Sequence, residues 1–185
     1  KYIYEYIIEN TEYNLASEDN QNICSVFING ESVCMGYAKA MQYLLLTQDI
    51  LCTLVNGTAN EGQEHAWNLL LLDDQYYHLD VTWGDDSYTV TNASDNKVGM
   101  TNYSFFCVTT EEILKTHTIN SVVELPECIA WENNYYVKEG LYFSNADKEK
   151  LAEIFADAYE KEREYVEIKC ADAVVYRQLY TYLIE

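Results

Sequence analysis

At 185 residues, the chain is long enough for one or two domains with a buried core. Apolar residues make up 49% and charged residues 23%, with a single proline and seven glycines, which excludes a disordered tail or a collagen-like segment. Thirty-one acidic against 11 basic residues give a net charge of −20, which repels phosphate backbones and anionic headgroups, so nucleic acid is not an expected partner.

The first segment, Lys1 to about Tyr13, carries Tyr2, Ile3, Tyr6 and Ile7 at helical spacing. The chain therefore opens inside a helix, and residues upstream are expected. A loop leads to a second helix, about Val33 to Leu46, then a strand, Leu51–Val55, and two more strands, His65–Leu72 and Tyr76–Trp83. After a polar loop from Asp85 to Asn102 come a short strand, Tyr103–Val108, and a helix opened by the capping pair Thr109 and Glu112. Pro126, within Glu124-Leu125-Pro126-Glu127, marks the expected seam between a core, 1–124, and a small α/β appendage, 125–185. In the appendage, residues 129–143 alternate like a strand pair. Ala146–Glu162 reads as an amphipathic helix capped by Ser144 or Asn145, and a strand, Tyr165–Cys170, and a last helix, Asp172–Ile184, follow. Its acidic helix reads as a solvated face. No apolar run approaches the roughly 20 residues that cross a bilayer, so no membrane span is expected in this chain.

Chemistry concentrates in three stretches, NGESVCMGYAKA (29–40), EHAWN (64–68) and YHLDVTWGDD (77–86). Asn29-Gly30 signals a turn, Ser32 is a candidate helix cap, and Val33, Tyr37, Met41, Leu44 and Leu45 share one apolar helical face. Cys34 then falls in the first helical turn, where the dipole and free N–H groups favour a thiolate and can bind a developing oxyanion. Gly36 leaves room for a substrate or a facing strand to approach. A two-residue turn at Asp73-Asp74 pairs Leu72 with Gln75, and this register sets Trp67 opposite Asp80 and His65 opposite Thr82. His65 and Asp80 become diagonal neighbours on one face, so the carboxylate can orient the imidazole that activates the thiol.

These stretches, with NYSFFCVTTEEILKTHTI further on, resemble the transglutaminase-like cysteine peptidase superfamily, specifically its small bacterial members, over roughly residues 1–120. The resemblance implies an α+β, papain-like core with the nucleophile at the head of a helix packed on an antiparallel sheet. It also implies Cys34 as nucleophile, His65 as general base and then acid, and Asp80 as the orienting residue. A side-chain oxyanion donor is expected upstream, where Gln21, Asn22 and Cys24 are all candidates. The animal transglutaminases carry extra β-sandwich and barrel domains and bind calcium, and domains of that size are not expected in this length.

Plainer readings apply elsewhere. Cys52, Cys107 and Cys170 read as buried thiols, and Cys24 and Cys128 stay open between buried and exposed. His78 reads as a hydrogen-bonded structural neighbour, and His117 as a residue near the C-terminal end of a helix. Trp67 and Trp83 serve as core aromatics and as a shield for the active-site shell. Asp85, Asp86 and Asp95 read as a solvated loop, since they lack the spacing of a calcium loop. No metal or cofactor is expected, the three histidines having no ligand spacing. The expected activity is a thiol hydrolase cleaving a peptide or isopeptide bond in a protein or peptide substrate. Acyl transfer to an amine and a non-catalytic cell-surface binding module are the alternatives. The expected location is extracellular or at a bacterial cell surface, and the acidic surface points to basic substrates.

Overall fold

A computed structural model describes residues 1–85 and 101–184. The described chain divides into two units, Lys1–Asn133 and Asn134–Glu185. The boundary falls beyond the expected seam at Pro126 because Leu125 and Cys128 still pack into the first unit's core.

In the first unit, helix α1 (Tyr2–Glu9) is followed by β1 (Glu12–Tyr13), which pairs in parallel with β2 (Glu31–Ser32). Helix α2 (Cys34–Leu46) leads to β3 (Cys52–Ala59), β4 (Gln63–Leu72) and β5 (Gln75–Leu79). Among the described residues, helix α3 (Thr110–Ile113) and β6 (His117–Ile119) follow in this unit. The main sheet is antiparallel with order β5-β4-β3-β6.

The hairpin register is the expected one, with Leu72 paired to Gln75 and Asn68 to Leu79. The turn needs no glycine, because Asp73 and Asp74 both adopt the left-handed conformation, at φ 50° and 60°. Asn133 Nδ2 steadies it by donating to Asp73 Oδ2 at 3.0 Å. Asp74 carries backbone strain that glycine lacks, so Asp74→Gly is expected to raise unfolding free energy by about 0.5 kcal/mol, read from denaturant melts; a loss of stability would contradict the strain argument.

Alternation along β4 explains why the sheet is covered on both faces. Leu70 joins Tyr4, Ile7, Tyr37 and Met41 beneath α1 and α2, while Trp67 and Leu69 join Val55, Val108, Ile113 and Cys128 on the other face. Asn68, fully buried, ties β4 to α2 by donating from Nδ2 to the carbonyl of Ala38 at 2.9 Å. Gly57 on β3 permits the sheet's last pairing. A Cβ there would lie 1.9 Å from the Thr118 carbonyl oxygen and 2.7 Å from Trp67 Cη2.

Several local expectations change. Residues 103–108 form no strand beyond the single bridge between Val108 and His78. The capping pair does open α3, with Thr109 Oγ1 accepting from Glu112 N at 3.2 Å.

The second unit comprises α4 (Tyr135–Lys138), β7 (Tyr142–Phe143), α5 (Lys148–Glu160), β8 (Lys169–Cys170) and α6 (Ala173–Ile184). In place of the strand pair expected over 129–143 stand a short helix and one two-residue strand. Asn134 caps that helix by accepting from Tyr136 N at 3.2 Å, which turns the apolar alternation into a helical turn. The cap of α5 is Asp147, not Ser144 or Asn145; its carboxylate accepts from Lys150 N at 2.9 Å. Phe143, Leu151, Val175 and Leu179 make this unit's own core. Among the described residues, no helix is long and apolar enough to cross a membrane.

Candidate active site

Cys34 is the first residue of α2, with Val33 at the helix cap in extended conformation and no side chain capping the helix. Ser32 does not fill that role. Its hydroxyl turns the other way, donating to the Asn20 carbonyl at 2.8 Å and meeting Ser25 Oγ at 2.7 Å. No side chain therefore covers the helix head beside the thiol, although the Gly36 N–H is taken by the Val33 carbonyl at 2.9 Å. Gly36 serves the same loop: a Cβ there would fall 1.9 Å from Ser32 Oγ and 3.0 Å from the Asn20 carbonyl. The space expected for a substrate or strand is therefore occupied by the serine loop that holds the helix head.

His65 enters from β4 and is 6% exposed. Its Nε2 lies 2.7 Å from Asp80 Oδ2, which leaves Nδ1 as the nitrogen available to Cys34, whose sulfur interacts with the ring. Burial disfavours the imidazolium. The Asp80 charge, the Asp80 hydrogen bond and the Cys34 interaction outweigh it, and the His65 pKa rises to about 10.

Asp80 directly follows β5 and is completely buried. Oδ1 accepts the backbone N–H groups of Thr82 at 3.0 Å and Trp83 at 3.2 Å, and Oδ2 takes the imidazoles. Burial alone would raise its pKa; the charge of His65 and the hydrogen bonds from His117 and His65 hold it well below the carboxylate range. The backbone here is anchored from α1, since the Tyr4 hydroxyl reaches the carbonyls of Asn102 at 2.8 Å and Asp80 at 3.2 Å.

The structure adds a residue that the sequence did not reveal. His117, read from sequence as lying near a helix end, is instead on β6 opposite Ala59, with Nε2 3.1 Å from Asp80 Oδ2. The strand is only three residues long, too short for alternation to show. The argument from histidine spacing also falls, because His65, Asp80 and His117 bring ligand atoms within 4.8 Å of one another. These are the atoms that could hold a metal, though the distances of 2.7 and 3.1 Å are those of hydrogen bonds.

His78 is structural as expected. Trp67 Nε1 donates to its Nδ1 at 3.1 Å, so the ring proton sits on Nε2, 3.3 Å from Thr110 Oγ1. Burial, then the charge of His117, lowers its pKa to about 4. Trp67 is buried and stacked beside His65 at 6.1 Å, and Trp83 lies 6.0 Å from the same ring.

Cys34 and His65 open onto a cleft of about 780 Å³ that is also lined by Tyr13, Gln21, Asn56 and Glu64. Of the upstream candidates, only Gln21 lines it. The Asn22 carboxamide is engaged by Cys24 N at 2.8 Å, and Cys24 is exposed elsewhere. Among the remaining cysteines, Cys52, Cys107 and Cys128 are buried free thiols and Cys170 is half-buried. Burial pushes the Cys52 pKa to about 12. Asp85 is not solvated: it is 4% exposed and accepts from the Tyr37 hydroxyl at 2.6 Å. Asp86 and Asp95 lie outside the described residues.

Comparison with known proteins gives one family match. Residues 1–81, which include Cys34, His65 and Asp80, match the family model described as the transglutaminase-like superfamily. No curated protein matches. Two similar solved structures are a "TGase", at 17% identity and TM-score 0.40, and a "Putative Cysteine Protease from Cytophaga hutchinsonii", at 22% identity and TM-score 0.40. The matches cover 43% and 44% of this chain but only 24% and 29% of those chains, so the chain spans under a third of their length. The similarity to the transglutaminase-like superfamily thus covers residues 1–81, the stretch that carries Cys34, His65 and Asp80.

Proposed function

We propose that this protein is a thiol hydrolase that cleaves peptide or isopeptide bonds through an acyl-enzyme on Cys34. The observation that carries the reading is the chain of contacts from Asp80 through His65 to a cysteine at an uncapped helix head that opens on a cleft. His65, with a pKa of about 10, carries protons on both ring nitrogens at neutral pH and pairs through Nδ1 with the Cys34 thiolate, whose sulfur attacks the carbonyl carbon. The oxyanion is met by the Cys34 N–H, with Gln21 placed to assist. His65 then protonates the departing amine, leaving a thioester; water, deprotonated by His65, releases the acid and restores the pair. Asp80 holds the proton of His65 on Nε2 throughout, keeping Nδ1 turned to the sulfur.

Two measurements test this on the full chain. At pH 6, where ordinary thiols are almost fully protonated, iodoacetamide should label Cys34 first, and uniform slow labelling of all six cysteines would remove the activated thiol. Fluorogenic peptide and isopeptide libraries should be hydrolysed by the wild type and not by Cys34→Ala. Incorporation of a fluorescent primary amine into a glutamine-bearing protein, faster than hydrolysis and lost in Cys34→Ala, would reassign the activity to acyl transfer.

A further inference from the structure

We propose that His117 is a second positioning histidine, which fixes Asp80 Oδ2 on its line to His65 and divides the carboxylate's hydrogen-bonding capacity between two imidazoles. This rests on the reading of Cys34, His65 and Asp80 as the catalytic set. One carboxylate oxygen receives two ring nitrogens, His65 Nε2 at 2.7 Å and His117 Nε2 at 3.1 Å. With Oδ1 already held by two backbone N–H groups, the carboxylate has four partners and cannot rotate without losing some of them.

His117 is itself held. Its side chain is fully buried, Thr116 Oγ1 lies 2.8 Å from Nδ1, and the rings of Trp83, Trp67 and Phe105 surround it at 4.5, 5.0 and 5.5 Å. Three aromatic neighbours would suit a phenylalanine if packing were the only demand. A polar ring in such a place carries a desolvation cost that only its hydrogen bonds offset, and the informative one is to Asp80.

The electrostatic consequence has a definite sign. A donor on Oδ2 lowers the carboxylate's proton affinity and so weakens its pull on the His65 proton. Without His117, Asp80 would bind that proton more tightly, making His65 a slower acid toward the leaving amine. The titratable groups facing His117 among the described residues are Asp80 after β5, His65 on β4 at 5.3 Å between ring centres, and His78 on β5. Cys34 is coupled through His65.

The test compares wild type, His117→Phe, which fills the ring volume without a donor, and His117→Gln, whose amide nitrogen takes the place of Nε2. The His65 imidazole is titrated by ¹H–¹⁵N NMR. In His117→Phe its midpoint should move up by about one pH unit, and His117→Gln should return it toward the wild-type value. A wild-type midpoint in a folded His117→Phe overturns the proposal. The wild type supplies an independent check if that variant does not fold: the His117 Nε2 proton should shift along with the His65 titration, and a proton blind to it overturns the proposal. Iodoacetamide labelling of Cys34 separates the two claims. If Cys34 is not the first thiol labelled in wild type, the catalytic reading fails whatever the His65 titration shows.

Discussion

Asp80→Asn is expected to leave the fold in place and to lower hydrolysis by about 10³- to 10⁴-fold. The reason is a hydrogen-bond count. The position of Oδ1 must accept two backbone N–H groups, so the asparagine carbonyl stays there and its NH₂ takes the position of Oδ2. That NH₂ then faces the Nε2 atoms of His65 and His117 as a donor. His65 can meet it only as the neutral tautomer with its proton on Nδ1, the nitrogen that takes the thiol proton when the pair with Cys34 forms. Catalysis fails because the thiolate is lost. Asp80→Ala behaves differently, because removing the carboxylate leaves Thr82 N, Trp83 N and two buried imidazoles short of a partner; a stability loss of about 3–5 kcal/mol is expected by denaturant unfolding. Fluorogenic turnover and unfolding midpoints of the two variants check this together. Hydrolysis within tenfold of wild type in Asp80→Asn would remove Asp80 from the mechanism.

Stability should peak near pH 6.5, a second large effect. His65 has a folded pKa of about 10 against 6.5 when unfolded, so the native state binds the extra proton; that contribution is complete below pH 6.5 and is lost as pH climbs toward 10. His78 runs the other way. Its folded pKa of about 4 means that the unfolded chain takes up the proton first, and stability drains as pH falls from 6.5 to 4. Asp80, held below its unfolded value, adds a further loss below about pH 4. Two buried groups steepen the alkaline side, since burial raises both Tyr37, helped by Asp85, and Cys52. Urea midpoints from pH 4 to 10 should trace this dome, and His65→Gln should flatten its alkaline limb between 6.5 and about 9. An alkaline limb unchanged in that variant would show that His65 does not carry the linkage.

The parts legible in the sequence were those with local grammar. The two-residue turn at Asp73-Asp74 between two apolar runs set the β4–β5 register, and that register brought His65 beside Asp80. The 3.6-residue periodicity of α2 placed Cys34 at a helix start. Ser32 misled because a serine before a helix signals a cap only if its hydroxyl faces the helix, and here a long-range partner, the Asn20 carbonyl, claims it. His117 was hidden for a related reason. Its place depends on a three-residue strand docking beside β3, from a sequence distance at which neither spacing nor periodicity says anything. The second unit suffered from one asparagine, whose cap converts an alternating run into a helical turn.

Gly57 gives the two-histidine arrangement a narrow material basis. It pairs with Ile119 and leaves the Thr118 carbonyl where a methyl group would have to be. One added carbon at that point would push β6 away from β3, and His117 begins β6. The distance between a carboxylate serving two imidazoles and a carboxylate serving one is therefore a single carbon atom, on a residue that touches neither ring through any side chain of its own.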